Sequence, residues 1–151
     1  MAGTPKTTRL SANFTLAELT VTNSGLSNAP DDGEIAHLRN LATKILQPLR
    51  DSLGKPVIVN SAFRSEAVNR SVGGTSTSQH RLGQAADIRV AGMTSLELAK
   101  HIVALGLPFD QVIEEFGSWV HVSFGPRNRR QLLTAVKQGK KTVYLPGLGV
   151  S

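Results

Sequence analysis

A chain of 151 residues is long enough for one domain with one core. It holds no cysteine, which excludes disulfides and thiolate metal sites, and no apolar run long enough to span a bilayer. A net charge of +6 favours an anionic partner, nucleic acid or cell-envelope polymer, but aromatics make up only 5% and no basic stretch interleaves with them to stack bases.

Residues 1–12 are Thr-rich and lack periodicity, so they read as a flexible N-terminal arm ahead of a single domain over 13–151. Lys6 and Arg9 have no apolar stretch behind them, so this is not a secretory signal, and synthesis in the cytoplasm is expected. Phe14 to Leu19 starts a short helix. Thr15 is its N-cap, Glu18 completes a capping box, and Phe14 and Leu19 fit a hydrophobic staple. Ser24 to Gly33 is a loop. From Glu34 to Leu53 apolar residues recur at helical spacing (Ile35, Leu38, Leu41, Ile45, Leu49), with a kink expected near Gln47 because Pro48 interrupts the pattern. Gly54 and Pro56 end the helix.

Val57-Ile58-Val59 is a short strand, and Ser65 caps a helix from Glu66 to Val72. Ala85 to Val90 reads as a strand, and Thr94 caps a helix running to Leu105. Phe109–Phe116 and Trp119–Phe124 read as two strands around a hairpin turn at Gly117-Ser118. Arg129 to Gln138 is expected as a last helix and Thr142 to Leu145 as a last strand. Arg127, Arg129, Arg130, Lys137, Lys140 and Lys141 then form a solvated helix face, with an anion-binding patch as the alternative. Trp119 reads as core packing, and His37 and His101 as surface or boundary residues within helices. Short strands mixed irregularly with helices indicate an α+β fold with a small, mainly antiparallel sheet flanked by helices.

Chemistry concentrates in Ser78-Gln79-His80-Arg81-Leu82-Gly83-Gln84-Ala85-Ala86-Asp87. His80 and Asp87 bracket a glycine, and His121 follows in the later strand. Two imidazoles and one carboxylate are a common catalytic zinc set that leaves a position for water. The spacing is not that of two histidines on one helix, so these ligands come from a loop and strands; a buried histidine beside a loop aspartate is the competing account.

Ser78-x-His80-x-x-Gly83-x-Ala85-x-Asp87, followed by Trp119-x-His121, resembles the signature of the M15 family of zinc peptidases. That family includes D-alanyl-D-alanine carboxypeptidases and phage endolysins that cut L-alanyl-D-glutamate in peptidoglycan. Ser61-Ala62-Phe63-Arg64-Ser65, Val68-Asn69-Arg70, Val72-Gly73-Gly74, Leu46-Gln47-Pro48-Leu49-Arg50 and Phe109-Asp110-Gln111 extend the likeness over residues 13–148. The resemblance implies a hedgehog/DD-peptidase-like fold and one Zn²⁺ held by His80, Asp87 and His121. It implies further that Arg64 hydrogen-bonds the substrate carbonyl or its developing oxyanion. Ser78 and Gln111 enter as weaker candidates for orienting ligands or lining the cleft.

Hydrolysis also needs a carboxylate to move the water's proton. Many family members carry that Glu three residues before the last His, where this chain has Ser118. Two candidates remain. A two-residue turn at Gly117-Ser118 would put Glu114 on the His121 face, whereas resemblance points to Glu115, which needs a bulge or longer turn; Glu115 is the expected base and Glu114 the alternative. The expected function is a zinc peptidase of peptidoglycan stem peptides, an endolysin cutting L-alanyl-D-glutamate after membrane lysis. The alternatives are a D-alanyl-D-alanine carboxypeptidase, a virion-associated wall peptidase, or a non-catalytic zinc-containing wall-binding module. Peptidoglycan is the expected partner, anionic envelope polymers a further one, and the chain is expected to be monomeric.

Overall fold

The computed structural model describes residues 3–150. Eight strands and six α-helices alternate irregularly, as the mixed periodicities predict. The first two strands, β1 (Arg9–Ser11) and β2 (Phe14–Thr15), pair with each other and lead into α1 (Leu16–Leu19). Residues 9–11 therefore do not belong to a loose arm. Leu10 is 2% exposed, and the Thr8 and Lys6 carbonyls accept the amides of Leu16 and Ala17. The burial of one leucine is enough to dock a segment whose composition shows no period. The Thr15/Glu18 capping box forms, and Phe14 and Leu19 are both buried.

Helix α2 (Asp32–Leu41) starts at an Asp31 N-cap with Glu34 closing the capping box. It passes through a π-helical turn, Ala42–Leu46, into α3 (Gln47–Leu53). The kink expected from Pro48 takes this form. Proline supplies no amide and its ring collides with the carbonyl four residues back, so a wider turn just before it relieves both defects. Leu38, Leu41, Ile45, Leu46 and Leu49 are fully buried along this helix.

The main sheet has six strands in the order β3-β4-β6-β5-β7-β8: Ile58–Ser61, Ala85–Arg89, Trp119–Ser123, Gln111–Glu115, Gln131–Gln138 and Lys141–Pro146. All neighbours are antiparallel except β5 and β7. Residues 131–138 are thus a strand, not the expected helix. Leu132, Leu133 and Val136 satisfy either period, and pairing decides between them: β7 lies parallel to β5 on one side and forms a hairpin with β8 on the other. Gly139, at φ 65°, supplies the left-handed conformation that the tight β7–β8 turn uses.

One face of the sheet carries Ala86, Ile88, Val112, Val120 and Val122, all fully buried in the core with α2, α3 and α6 (Ser95–Ala104). The opposite face forms the floor of a cleft. Alternate residues of paired strands share a face. Asp87, His121 and Ile113 are register partners in turn, as are Trp119, Glu115, Ala135 and Tyr144, so both rows look into that cleft.

Candidate metal centre and cleft

The loop that follows α4 (Glu66–Ser71), residues 73–78, and the next helix α5 (Gln79–Leu82) wall the cleft beside β4. His80 sits on α5, a single turn capped by Ser78, whose hydroxyl accepts the His80 amide at 3.2 Å. Two contacts from α2 hold this short helix in place. Arg81 pairs with Glu34 at 2.6 Å, and His37 donates from Nδ1 to the Leu82 carbonyl at 2.7 Å. Gly83 ends α5 at φ 77°, and a Cβ there would lie 2.8 Å from the Glu34 carbonyl. The conformation and the close approach both demand glycine, which accounts for its place in the motif.

His80 Nδ1 donates to the Ala62 carbonyl at 2.7 Å. That bond places a proton on Nδ1, so in the neutral ring the lone pair lies on Nε2, facing outward. It faces Asp87 Oδ1 at 3.2 Å, and His121 Nδ1 approaches the same oxygen at 3.1 Å. Two imidazole nitrogens and a carboxylate oxygen turned toward one another make a donor set that could hold a cation. Donor atoms from the three residues lie within 4.8 Å of one another. Tetrahedral zinc with bonds of about 2.0–2.1 Å spaces its ligand atoms roughly 3.4 Å apart, so the donor set fits such an ion. Burial pushes the Asp87 carboxyl up, but His80 and His121 beside it outweigh that and hold it well below the usual carboxylate range.

Arg64 reaches the same carboxylate from the β3 side, donating from Nη2 to Asp87 Oδ2 at 3.4 Å and from Nε to Ser61 Oγ at 3.2 Å. Its backbone amide donates to the His80 carbonyl at 2.9 Å. Buried Asn28 braces this turn, donating to the Thr20 and Phe63 carbonyls and accepting the Ser65 amide.

The hairpin register separates the two glutamates. Glu115 pairs with Trp119, so the loop is the three residues Phe116-Gly117-Ser118, with φ 58° at Phe116 and 65° at Gly117. The two-residue turn is therefore incorrect. The extra residue places Glu115 on the His121 face and Glu114 on the opposite one. Glu114 is buried and accepts a bond from Ser95 Oγ of α6 at 2.6 Å. Glu115 lines the cleft and accepts the Trp119 Nε1 hydrogen at 2.9 Å. Burial chiefly, then the Asp87 charge, raises its pKa above the ordinary 4.5, against the lowering influence of His121, Trp119 and Arg64.

Trp119, expected in the core, is half-buried and lines the cleft, as do Ser78 and Gln111. His37 and His101 are boundary residues as expected. The β6–β7 connection also contributes Arg127 and Arg129 to the cleft wall, and β8 contributes Tyr144. Asp110, fully buried at the entry to β5, accepts three bonds from Arg129 and one from Gln79 Nε2. The Arg129 hydrogen bonds hold its pKa at about 2 despite burial. The sequence reading gave Arg127 and Arg129 as part of a basic face or anion-binding patch but not their place in the cleft wall, because a helix was expected where β7 lies. The available signal was Asp110 itself, an acidic residue between a buried phenylalanine and a strand, which requires a cationic partner.

Fold and centre together define an α+β domain in which the sheet (Asp87, His121) and helix α5 (His80) bring together a two-histidine, one-aspartate group able to hold a metal, with a glutamate and an arginine beside it. Comparison with known proteins gives the same answer: residues 12–123 match the family described as Peptidase M15, and the chain belongs to that family. A curated relative, the zinc D-Ala-D-Ala carboxypeptidase of Streptomyces albus G, is 40% identical over 90 residues. That alignment covers 58% of this chain and 35% of the relative, so the chain spans only about a third of its length.

Proposed function

We propose that the protein is a zinc-dependent peptidase acting on peptidoglycan stem peptides, and that it removes terminal D-alanine from D-alanyl-D-alanine. The convergence of His80, Asp87 and His121 beside Glu115 carries the enzymatic reading. The relative's activity supports this bond over the L-alanyl-D-glutamate bond expected from the sequence. Endopeptidase action at L-alanyl-D-glutamate is the second reading, supported by a cleft of about 570 Å³ that runs across β4 to β8 and has room for several residues. A wall-binding module without catalysis would have no use for a half-buried Glu115 with a raised pKa beside the centre.

A zinc ion in this group would polarise the scissile carbonyl and acidify water at its free position. Glu115, its pKa raised above the ordinary carboxylate value mainly by burial, takes the attacking water's proton and returns it to the departing amine. Trp119 Nε1 keeps that carboxylate aimed into the cleft. Arg64, anchored on Ser61 and Asp87, donates to the carbonyl oxygen as negative charge builds there. Ala62 and Ser78 hold His80 in its tautomer and orientation.

The setting we propose is lytic: a monomer made in the cytoplasm that reaches the wall after membrane lysis, its charge of +6 suited to an anionic envelope. Mass spectrometry of digested peptidoglycan, with and without chelator, tests the activity. Chelator-sensitive release of D-alanine supports the carboxypeptidase, and new amino termini on D-glutamate support the endopeptidase. No metal-dependent product from intact protein would leave the wall-binding module.

A further inference from the structure

We propose that Arg127 anchors the substrate by the free α-carboxylate on the residue that departs with the new amine. The proposal rests on the stem-peptide reading above and holds for either bond. In D-alanyl-D-alanine the departing residue is C-terminal and carries a free α-carboxylate. In L-alanyl-D-glutamate the chain continues through the γ-carboxyl, which again leaves the α-carboxylate free. Both candidate bonds thus present the same anion next to the scissile nitrogen, and the cleft needs one cation to meet it.

Three arginines line the cleft: Arg64, Arg127 and Arg129. Two are already committed. Arg64 bonds Asp87 and Ser61, and Arg129 spends its backbone amide, Nε and Nη2 on Asp110. The Arg127 side chain has neither a hydrogen bond nor an ion pair among the described residues.

Its loop is nevertheless held on both sides. Residues 124–130 cross the entry to β5, joining β6, on one side of β5, to β7 on the other. Before Arg127, the Phe124 amide donates to the Gln84 carbonyl at 2.9 Å, and a Cβ on Gly125 would lie 2.8 Å from Gln79 Nε2. After it, Arg129 is clamped on Asp110, and Arg130 donates to the Leu107 carbonyl with its guanidinium 4.6 Å from the Phe109 ring centre. Because the backbone is already fixed, binding has to order only the Arg127 side chain and not its loop, and a guanidinium can then meet a carboxylate with two parallel hydrogen bonds.

The position also suits. Gln111, Ile113 and Glu115 follow one another along the cleft floor at roughly 7 Å intervals. His121 stands across from Ile113, and the Arg127 loop passes over the Gln111 end. A carboxylate one residue from the reacting carbonyl therefore lies within reach of an extended arginine from that end.

The test uses zinc-loaded enzyme and matched peptides: diacetyl-L-Lys-D-Ala-D-Ala against its C-terminal amide, and an L-Ala-γ-D-Glu peptide against its isoglutamine counterpart. Wild type should prefer the acid of the cleaved pair by roughly ten- to a hundredfold in kcat/KM, mostly through KM. R127Q should bring the acid-to-amide ratio near one, and R127K should restore part of it. K140Q removes the same charge from the β7–β8 turn, outside the cleft lining, and should keep the wild-type ratio. An unchanged ratio in R127Q, or an equal loss in K140Q, would overturn the proposal. If neither pair is cleaved, the stem-peptide reading fails, and calorimetric binding of the same peptides to metal-free protein decides this one. Acid-selective binding lost in R127Q upholds the anchor, and equal binding of acid and amide rejects it.

Discussion

The Glu115 carboxylate accepts the Trp119 indole hydrogen at 2.9 Å, across the hairpin from which His121 also rises. That bond marks Glu115 as the carboxylate of the cleft face, with Glu114 bonded to Ser95 on the core face. Substitutions at these adjacent positions should separate chemistry from stability. Glu115→Gln should keep zinc and fold while lowering kcat by about 10²–10⁴. Glu114→Ala should keep kcat within a few-fold but cost about 1–3 kcal/mol, because the buried Ser95 hydroxyl loses its acceptor. Hydrolysis rates, metal content and thermal unfolding of the two variants distinguish these outcomes.

The raised pKa of Glu115 fixes the direction of a pH effect. A base works only when deprotonated, so kcat/KM should rise with pH through a limb lying above 4.5, the ordinary value for this group. The Trp119 bond is among the influences that lower the pKa. Trp119→Phe removes it and should move the limb further up. A limb that moves down, or disappears with Glu115 intact, would assign the ionisation to another group.

The metal group was legible because its chemistry is local: His80, Gly83 and Asp87 lie within one turn and one strand, and only His121 had to be brought from afar. The choice between Glu114 and Glu115 was not legible. It depends on a single added loop residue, and the loop that provides it needs φ 58° at Phe116, a conformation that a phenylalanine seldom takes. Leu132, Leu133 and Val136 were likewise ambiguous, since their spacing suits a helix face and a buried strand alike. What makes them a strand is pairing with β5, some twenty positions earlier in the register Gln111↔Gln131, which no local period reveals. Arg127 and Arg129 shared that fate, because their role follows from a loop that exists only if β7 is a strand.

Metal removal should be felt in stability as well as activity. A ligand present at a thousand times its dissociation constant stabilises the folded state by about 4 kcal/mol. For a chain of this size that corresponds to a fall of roughly 10 °C in Tm when a chelator strips the ion. His121→Ala should make Tm nearly insensitive to chelator, since two of the three donors cannot hold the ion tightly. A wild-type Tm indifferent to both zinc and chelator would mean that His80, Asp87 and His121 hold no resident ion.

Asp110 predicts an acid-sensitive clamp. Its carboxyl sits at about 2 in the fold against an ordinary 3.8, chiefly because Arg129 hydrogen-bonds the ionised form. A depressed carboxylate pKa contributes stability that is fully present above the unfolded value and is lost as pH falls through the folded one. The window is therefore about pH 4 down to 2, and the contribution is on the order of 2 kcal/mol. Asp110→Asn should flatten that part of the stability profile and lower stability at neutral pH, both measurable by urea unfolding across the range. The same substitution frees Arg129 and loosens the loop that presents Arg127, so the preference for free-acid substrates should weaken while zinc content stays the same. Loss of stability with an intact acid preference would show that the clamp braces β5 and β7 without setting the position of Arg127.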